Sequence, residues 1–146
     1  MMKRYILAVF AYLVPTFALG FVWHLVLFES YYDALGIYRR DIIIPFGFLS
    51  MLIQGAIFAW VYERVFAVSG GPPLSRAVRY GLGGAALSWS FTTLAVAAKN
   101  VMASVPSYLL IETAFTIVQW ALVAPLTVAS SSLMAGRGER RISAVG

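Results

Sequence analysis

Apolar positions along this chain gather into four long runs, and polar positions are confined to the short breaks between them. The runs cover about residues 5–28, 42–68, 79–103 and 106–134. Each exceeds the ~18 residues that mark a membrane span, and each can cross a hydrocarbon core of about 30 Å at a rise of about 1.5 Å per residue. Strands exposed to lipid would leave backbone groups unpaired, and the alternation of a membrane barrel is absent, so helices are expected. The pattern predicts an all-α membrane protein: one transmembrane domain over residues 1–146, built as a four-transmembrane-helix bundle. Residues 135–146 read as a polar tail that frays. The segment Ser69 to Pro73, SGGPP, marks the turn between the second and third spans.

Composition sharpens this picture. Hydrophobic residues make up 61% of the 146 positions and charged residues only 12%, against about 25% charged in a soluble domain. Cysteine is absent, which excludes disulfides, thiol catalysis and cysteine-based metal or haem attachment. The N-terminus has the outline of a secretory signal, with Lys3 and Arg4, an apolar run and then Ala18-Leu19-Gly20. Its apolar character continues through Phe28, longer than a signal core needs, so it reads as a true span.

The net charge of +5 reflects bases that flank the apolar runs and form no dense block with interleaved aromatics. Nucleic acid is therefore not an expected partner. Four spans place both termini and the loop between spans two and three on one side. That side carries Lys3, Arg4, Arg64, Arg76, Arg79, Arg137, Arg140 and Arg141; the other carries only Arg39, Arg40 and Lys99. Lys/Arg excess marks the cytoplasmic face, so both termini are expected in the cytoplasm. The stretch from His24 to Asp41 then faces outward, to the periplasm in a Gram-negative host.

That stretch, HLVLFESYYDALGIYRRD, concentrates the candidate chemistry. It holds the single histidine, three of the six acids and two of the eleven bases. ESYYDALGIYRRD reads as a short amphipathic helix lying on the membrane between spans one and two, ended by Gly36. It is either a belt of tyrosines with local salt bridges or a lid over a cavity, where Arg39 and Arg40 could hold an anionic headgroup. His24, one turn inside span one, is either an interfacial anchor or a proton-handling group. Glu112 and Lys99 each lie about six residues inside their spans, level across a short hairpin. A charge at that depth needs a partner or water; Lys99 either pairs with Glu112 or snorkels to the headgroups. The expected outward-facing pocket therefore joins His24, Glu29, Asp33, Arg39, Arg40, Lys99 and Glu112. No metal site or cofactor is expected, since a lone histidine offers no recognisable ligand set.

Other polar and small residues read as packing devices. Gln54 and Gln119 are buried amides that hold helices together, and they could bond to each other if their spans adjoin. Gly81, Gly84, Ala85 and Ser88 form small-residue faces in span three, which is expected to be the central, most buried helix or the face of a dimer. Pro15 and Pro125 are expected to kink spans one and four, while Pro45 falls in the first turn of span two.

The run LGIYRRDIIIPFGFLSMLIQG (Leu35 to Gly55) resembles the first loop and second span of small bacterial four-span inner-membrane proteins of unassigned function. The resemblance implies a multi-pass protein of the bacterial inner (plasma) membrane and brings no catalytic residues. There is no nucleophile elbow, zincin motif, phosphate loop or nucleotide fingerprint. The expected function is an integral membrane binding or transport module whose pocket takes a small polar molecule, an ion or a lipid headgroup. Two alternatives stay open. One is a non-catalytic accessory or assembly subunit of a larger membrane complex. The other is a membrane enzyme acting on lipid or quinone through Glu112 or His24. Catalysis is not the leading expectation. The expected partners are the lipid bilayer and either a homo-oligomer or a larger membrane complex.

Overall fold

The computed structural model describes the backbone from Met2 to Ser143 and side chains through Leu133. The side chains of Arg137, Arg140 and Arg141, used above for orientation, lie outside the described residues. Among the described residues there is no strand. Helix α1 (Met2–Val22) runs into a π-helical turn, Trp23–Leu27, and is followed by the short α2 (Glu29–Leu35). Helix α3 (Ile44–Val61) ends in a second π-helical turn, Tyr62–Phe66. Helix α4 (Pro73–Trp89) continues through a third, Ser90–Leu94, into α5 (Ala95–Ala97). Helix α6 (Val105–Ser143) is the longest, and its backbone stays helical past residue 134, where the fourth span was expected to end.

Local chemistry explains the element ends. Proline stands in the first turn of α3 and of α4, where its missing N–H has no intrahelical partner to lose. Gly36 closes α2 with a left-handed φ of 69°, and its N–H meets the carbonyls of Tyr32 and Asp33, the usual glycine C-cap. Both α1 and α6 run on through their internal prolines, Pro15 and Pro125.

Three helical stretches, Met2–Leu27, Ile44–Phe66 and Val105–Leu133, are long and apolar enough to cross a membrane. The stretch through α4 and α5 is not among them. Arg76 and Arg79 occupy its first turns, and its glycines, serines and threonines dilute its apolarity.

The long helices alternate in direction. Helix α6 packs along α1 on one side and α4 on the other, while α3 packs on the free side of α1. The centre of the bundle is therefore the α1–α6 pair. Helix α4, expected at the centre, lies on a flank; its small residues serve as a seat for α6 instead. The bulkiest core side chains explain this. Trp120 of α6 meets Phe58 of α3 edge-on at 4.8 Å, Tyr80 of α4 edge-on at 5.4 Å and Tyr12 of α1 at 6.0 Å between ring centres. One aromatic from each long helix thus meets at one point, in the tilted and edge-to-face arrangements that ring quadrupoles favour.

Gly84 makes that meeting possible, because a Cβ there would overlap the Trp120 ring. Gly81 lies against the Ala124 methyl, and Ser88 accepts the Trp120 indole N–H at 2.8 Å. Gln54 and Gln119 do join helices, but not to each other. Gln54 Oε1 accepts the Tyr12 hydroxyl at 2.9 Å, and the Gln119 amide donates to Thr16 Oγ1 at 3.3 Å. Both helices pack on α1, and each amide bonds to α1.

Replacing Gly84 with alanine should therefore destabilise the bundle by about 1–3 kcal/mol through overpacking. Gly83→Ala, whose Cβ would meet nothing within 4 Å, should be neutral or stabilising by up to about 1 kcal/mol. Denaturant unfolding of the purified protein in detergent, followed by tryptophan fluorescence and circular dichroism, measures both.

Candidate functional site

At the end of the bundle away from the N-terminus, the fold buries one carboxylate, Glu112, with 6% of its surface exposed. It lies two turns into α6. The Tyr32 hydroxyl of α2 donates to its Oε1 at 2.6 Å, and His24 Nε2 of the first π-helical turn lies 3.2 Å from the same oxygen. His24 Nδ1 faces the Gly20 carbonyl at 2.9 Å. Both ring nitrogens of His24 therefore face acceptors. Hydrogen-bond accounting then places one proton between His24 and Glu112, either as an imidazolium–carboxylate pair or as a carboxylic acid donating to Nε2. A π-helical turn widens the backbone just where His24 projects, a placement that recurs at functional sites.

Aromatic rings enclose this dyad. Phe115 meets His24 edge-on at 4.5 Å, and Tyr32 lies 4.8 Å away. Tyr38 stacks on Tyr32 at 5.0 Å with an interplanar angle of 14°. Trp23 packs on Phe28 and Phe115, and its indole N–H is buried without a partner. Helix α2 is held over the dyad by main-chain contact as well: the Ala103 N–H donates to the Leu35 carbonyl at 2.9 Å. The neighbouring Tyr108 hydroxyl donates to the Thr92 carbonyl at 2.8 Å, within the third π-helical turn.

Beside the dyad, a groove of about 460 Å³ runs between α1 and α3 beneath the 37–44 segment. His24, Tyr38 and Arg39 line it near the α2 end, and Phe17, Phe48 and Met51 line it deeper. Its walls are mostly apolar. Arg39 is exposed and pairs locally with Asp41 at 3.3 Å.

The structure brings together only part of the expected pocket. His24 and Glu112 touch, and Arg39 shares the groove with His24. Glu29, Asp33 and Arg40 are exposed and lie apart from the dyad. Of the two readings left open for Lys99, the pair with Glu112 is not seen. The α-helix of α5 ends at Ala97, so Lys99 sits exposed in the turn between α5 and α6, not a turn and a half inside a span. Tyr32 and Tyr38 were legible only as membrane-belt aromatics, yet they form the dyad's cover. The signal that could have marked Tyr32 is its place on α2, three residues after the helix start and one turn before the glycine cap, on the face that must dock. Among the described residues, no three His, Asp or Glu side chains gather as metal ligands.

Burial raises the Tyr32 phenol well above its ordinary value near 10, and the bond to Glu112 raises it further. Burial raises Tyr38 as well, with the Glu112 charge adding to it. The unfolded chain would release these protons near pH ~10, whereas the folded chain holds them. Their contribution to stability is thus fully present below about pH 10 and is lost progressively as pH rises from there toward the raised folded-state values. Unfolding midpoints measured in detergent between about pH 8 and 11 should fall at the alkaline end. Tyr32→Phe should make that fall shallower, while lowering stability at neutral pH by about 1–3 kcal/mol because Glu112 loses a donor.

The chain matches no protein-family model, no curated protein and no solved structure.

Proposed function

We propose that this protein is a membrane-embedded binding module for an amphiphilic molecule, its polar head against His24, Tyr38 and Arg39 and its apolar part along the α1–α3 groove. The observation that carries this reading is the groove itself. A cavity of about 460 Å³ has the size of a small-molecule site, and mostly apolar walls with a few polar groups at one end suit an amphiphile. A small polar molecule or ion would find too few partners along those walls. The His24–Glu112 dyad, with its single shared proton, stands behind the head position and can exchange hydrogen bonds with a ligand that displaces Tyr38.

The same reading completes the topology. Helix α4 with α5 is a fourth span, kept in the bilayer by its packing on α6. The termini face the cytoplasm, α2 lies at the outer interface, and the setting is a bacterial inner membrane. The Lys/Arg distribution supports this orientation. The groove then opens to the outer half of the bilayer, where lipid can enter sideways.

An accessory-subunit role has one observation in its favour. A shallow groove of about 370 Å³ on the outer face of α4 and α6 is lined by small residues, among them Ala77, Gly81, Ala85, Ala121 and Pro125. Such surfaces admit close helix packing.

Native mass spectrometry of the protein released from native nanodiscs tests the binding reading. The wild type should retain a lipid-sized adduct. Gly47→Phe should lose it, because Gly47 lines the groove with nothing within 4 Å of a Cβ there. Arg39→Gln should weaken retention by about tenfold, the scale of one charge-assisted bond. Equal retention by wild type and both variants would sink the reading. A stable complex with another membrane protein, lost on Gly81→Leu and kept on Gly47→Phe, would favour the accessory role.

A further inference from the structure

We infer that the opposite end of the bundle carries a second, separate binding site, for a phosphate-class anion, formed by Arg4, Arg76 and the Tyr62 hydroxyl. Arg4 of α1, Glu63 of the second π-helical turn and Ser131 of α6 form a closed triad. Arg4 Nη2 lies 3.1 Å from Glu63 Oε2 and donates to Ser131 Oγ at 2.9 Å. The Ser131 hydroxyl in turn donates to Glu63 Oε1 at 2.7 Å. These bonds hold the Arg4 guanidinium in one orientation. They leave its Nε buried without an acceptor among the described residues.

Two further donors at this end share that condition. Arg76 Nε, from the first turn of α4, is buried without an acceptor among the described residues. Tyr62 is fully buried, with 0% of its surface exposed, and its hydroxyl has no partner among the described residues. The Tyr62 ring is fixed between Phe66, stacked at 6.5 Å, and Tyr80, edge-on at 5.1 Å. The charged groups around its hydroxyl are Arg76, Glu63 and Arg4. Among the described residues these three buried donors, from three helices, have no acceptor, and Arg76 and Arg4 are the two cations whose charges bear on the Tyr62 hydroxyl. Folded proteins seldom leave buried donors unmet.

Charge and geometry select the ligand. Two guanidinium groups against the single Glu63 carboxylate leave the cluster net positive. An occupant must be anionic and must offer several acceptor oxygens to donors arriving from different helices. Phosphate oxygens do this, and arginine is the side chain suited to them. The source is either a phospholipid headgroup in the leaflet facing the N-terminus or free phosphate. Arg79 is the internal control. It lies one turn along α4, is exposed, and its side chain already donates to the carbonyls of Ser75 and Gly70, both at 3.4 Å.

The full chain, purified in a neutral detergent, is titrated with inorganic phosphate while its unfolding midpoint is followed. In parallel, it is reconstituted into nanodiscs of phosphatidylcholine with and without phosphatidylglycerol, and retained lipid is counted by native mass spectrometry. Arg76→Gln and Tyr62→Phe should each weaken anion binding by about tenfold, and Arg79→Gln should leave it unchanged. A phosphate-dependent midpoint that needs Arg76 identifies free phosphate. Selective retention of phosphatidylglycerol without a phosphate response identifies a headgroup. Should Arg76→Gln fail to fold, Tyr62→Phe, which keeps the ring, decides alone. The inference is overturned if the wild type shows neither response, or if both variants behave as Arg79→Gln does.

Discussion

A carboxylate buried in the last helix must find its donors within the fold, and Glu112 finds them at the end of α1 and on α2. Leaving such a group without a partner would cost about 3–5 kcal/mol. Much of the surrounding architecture follows from meeting that demand. His24 must project from α1, and it does so from a turn wound more loosely than an α-helix. Helix α2 must fold back so that Tyr32 reaches the carboxylate. Once Tyr32 is buried, Tyr38 stacks on it and becomes a wall of the neighbouring groove. The groove's position is thus a consequence of satisfying one charge.

Away from that charge, close packing governs. Lipid tails are as apolar as leucine, so helices in a bilayer gain little by hiding apolar surface from each other and depend on contact and hydrogen bonds. The meeting of Tyr12, Phe58, Tyr80 and Trp120 provides contact, and Ser88, Thr16 and the two glutamines provide bonds. Helix α3 is the least tied of the long helices. It packs along α1 and reaches α4 mainly near Tyr62–Phe66 and through the Tyr80 hydroxyl, which donates to the Phe58 carbonyl at 3.3 Å. Toward its other end, a gap of about 260 Å³ separates Gln54 and Phe58 from Leu87 and Phe91.

How much of this was legible in the chain depends on the range of the interaction. Helices were legible because apolar runs and proline punctuation are local, and α2 because Gly36 closes it locally. The buried role of Glu112 was legible from its depth. Its partner was not: placing Lys99 beside it required knowing where α5 ends, and a six-residue error moved that lysine into a turn. Gln54 and Gln119 were recognisable as glue, but which helix each bonds to is a matter of packing order. Arg4 was read as a topology marker, because nothing local shows that Glu63 and Ser131 meet it. Gly84 signalled close approach, and only the structure names Trp120 as the side chain that needs the space.

The place of α6 in the bundle has a consequence for how the chain is assembled. The helix at the centre is synthesised after the three it packs with. Glu112, Gln119, Trp120 and Ser131 all belong to it, and they complete bonds begun 88, 103, 32 and 127 residues earlier, at His24, Thr16, Ser88 and Arg4. Until it emerges, α1 and α3 can join through Tyr12 and Gln54, but Thr16 and His24 lack their α6 partners and the weakly apolar α4 has no seat. The bundle therefore closes around α6 after α1, α3 and α4 are made, with the α1–α3 pair as its main earlier core among the described residues. A ribosome that stalls before residue 112 leaves a bundle without its axis.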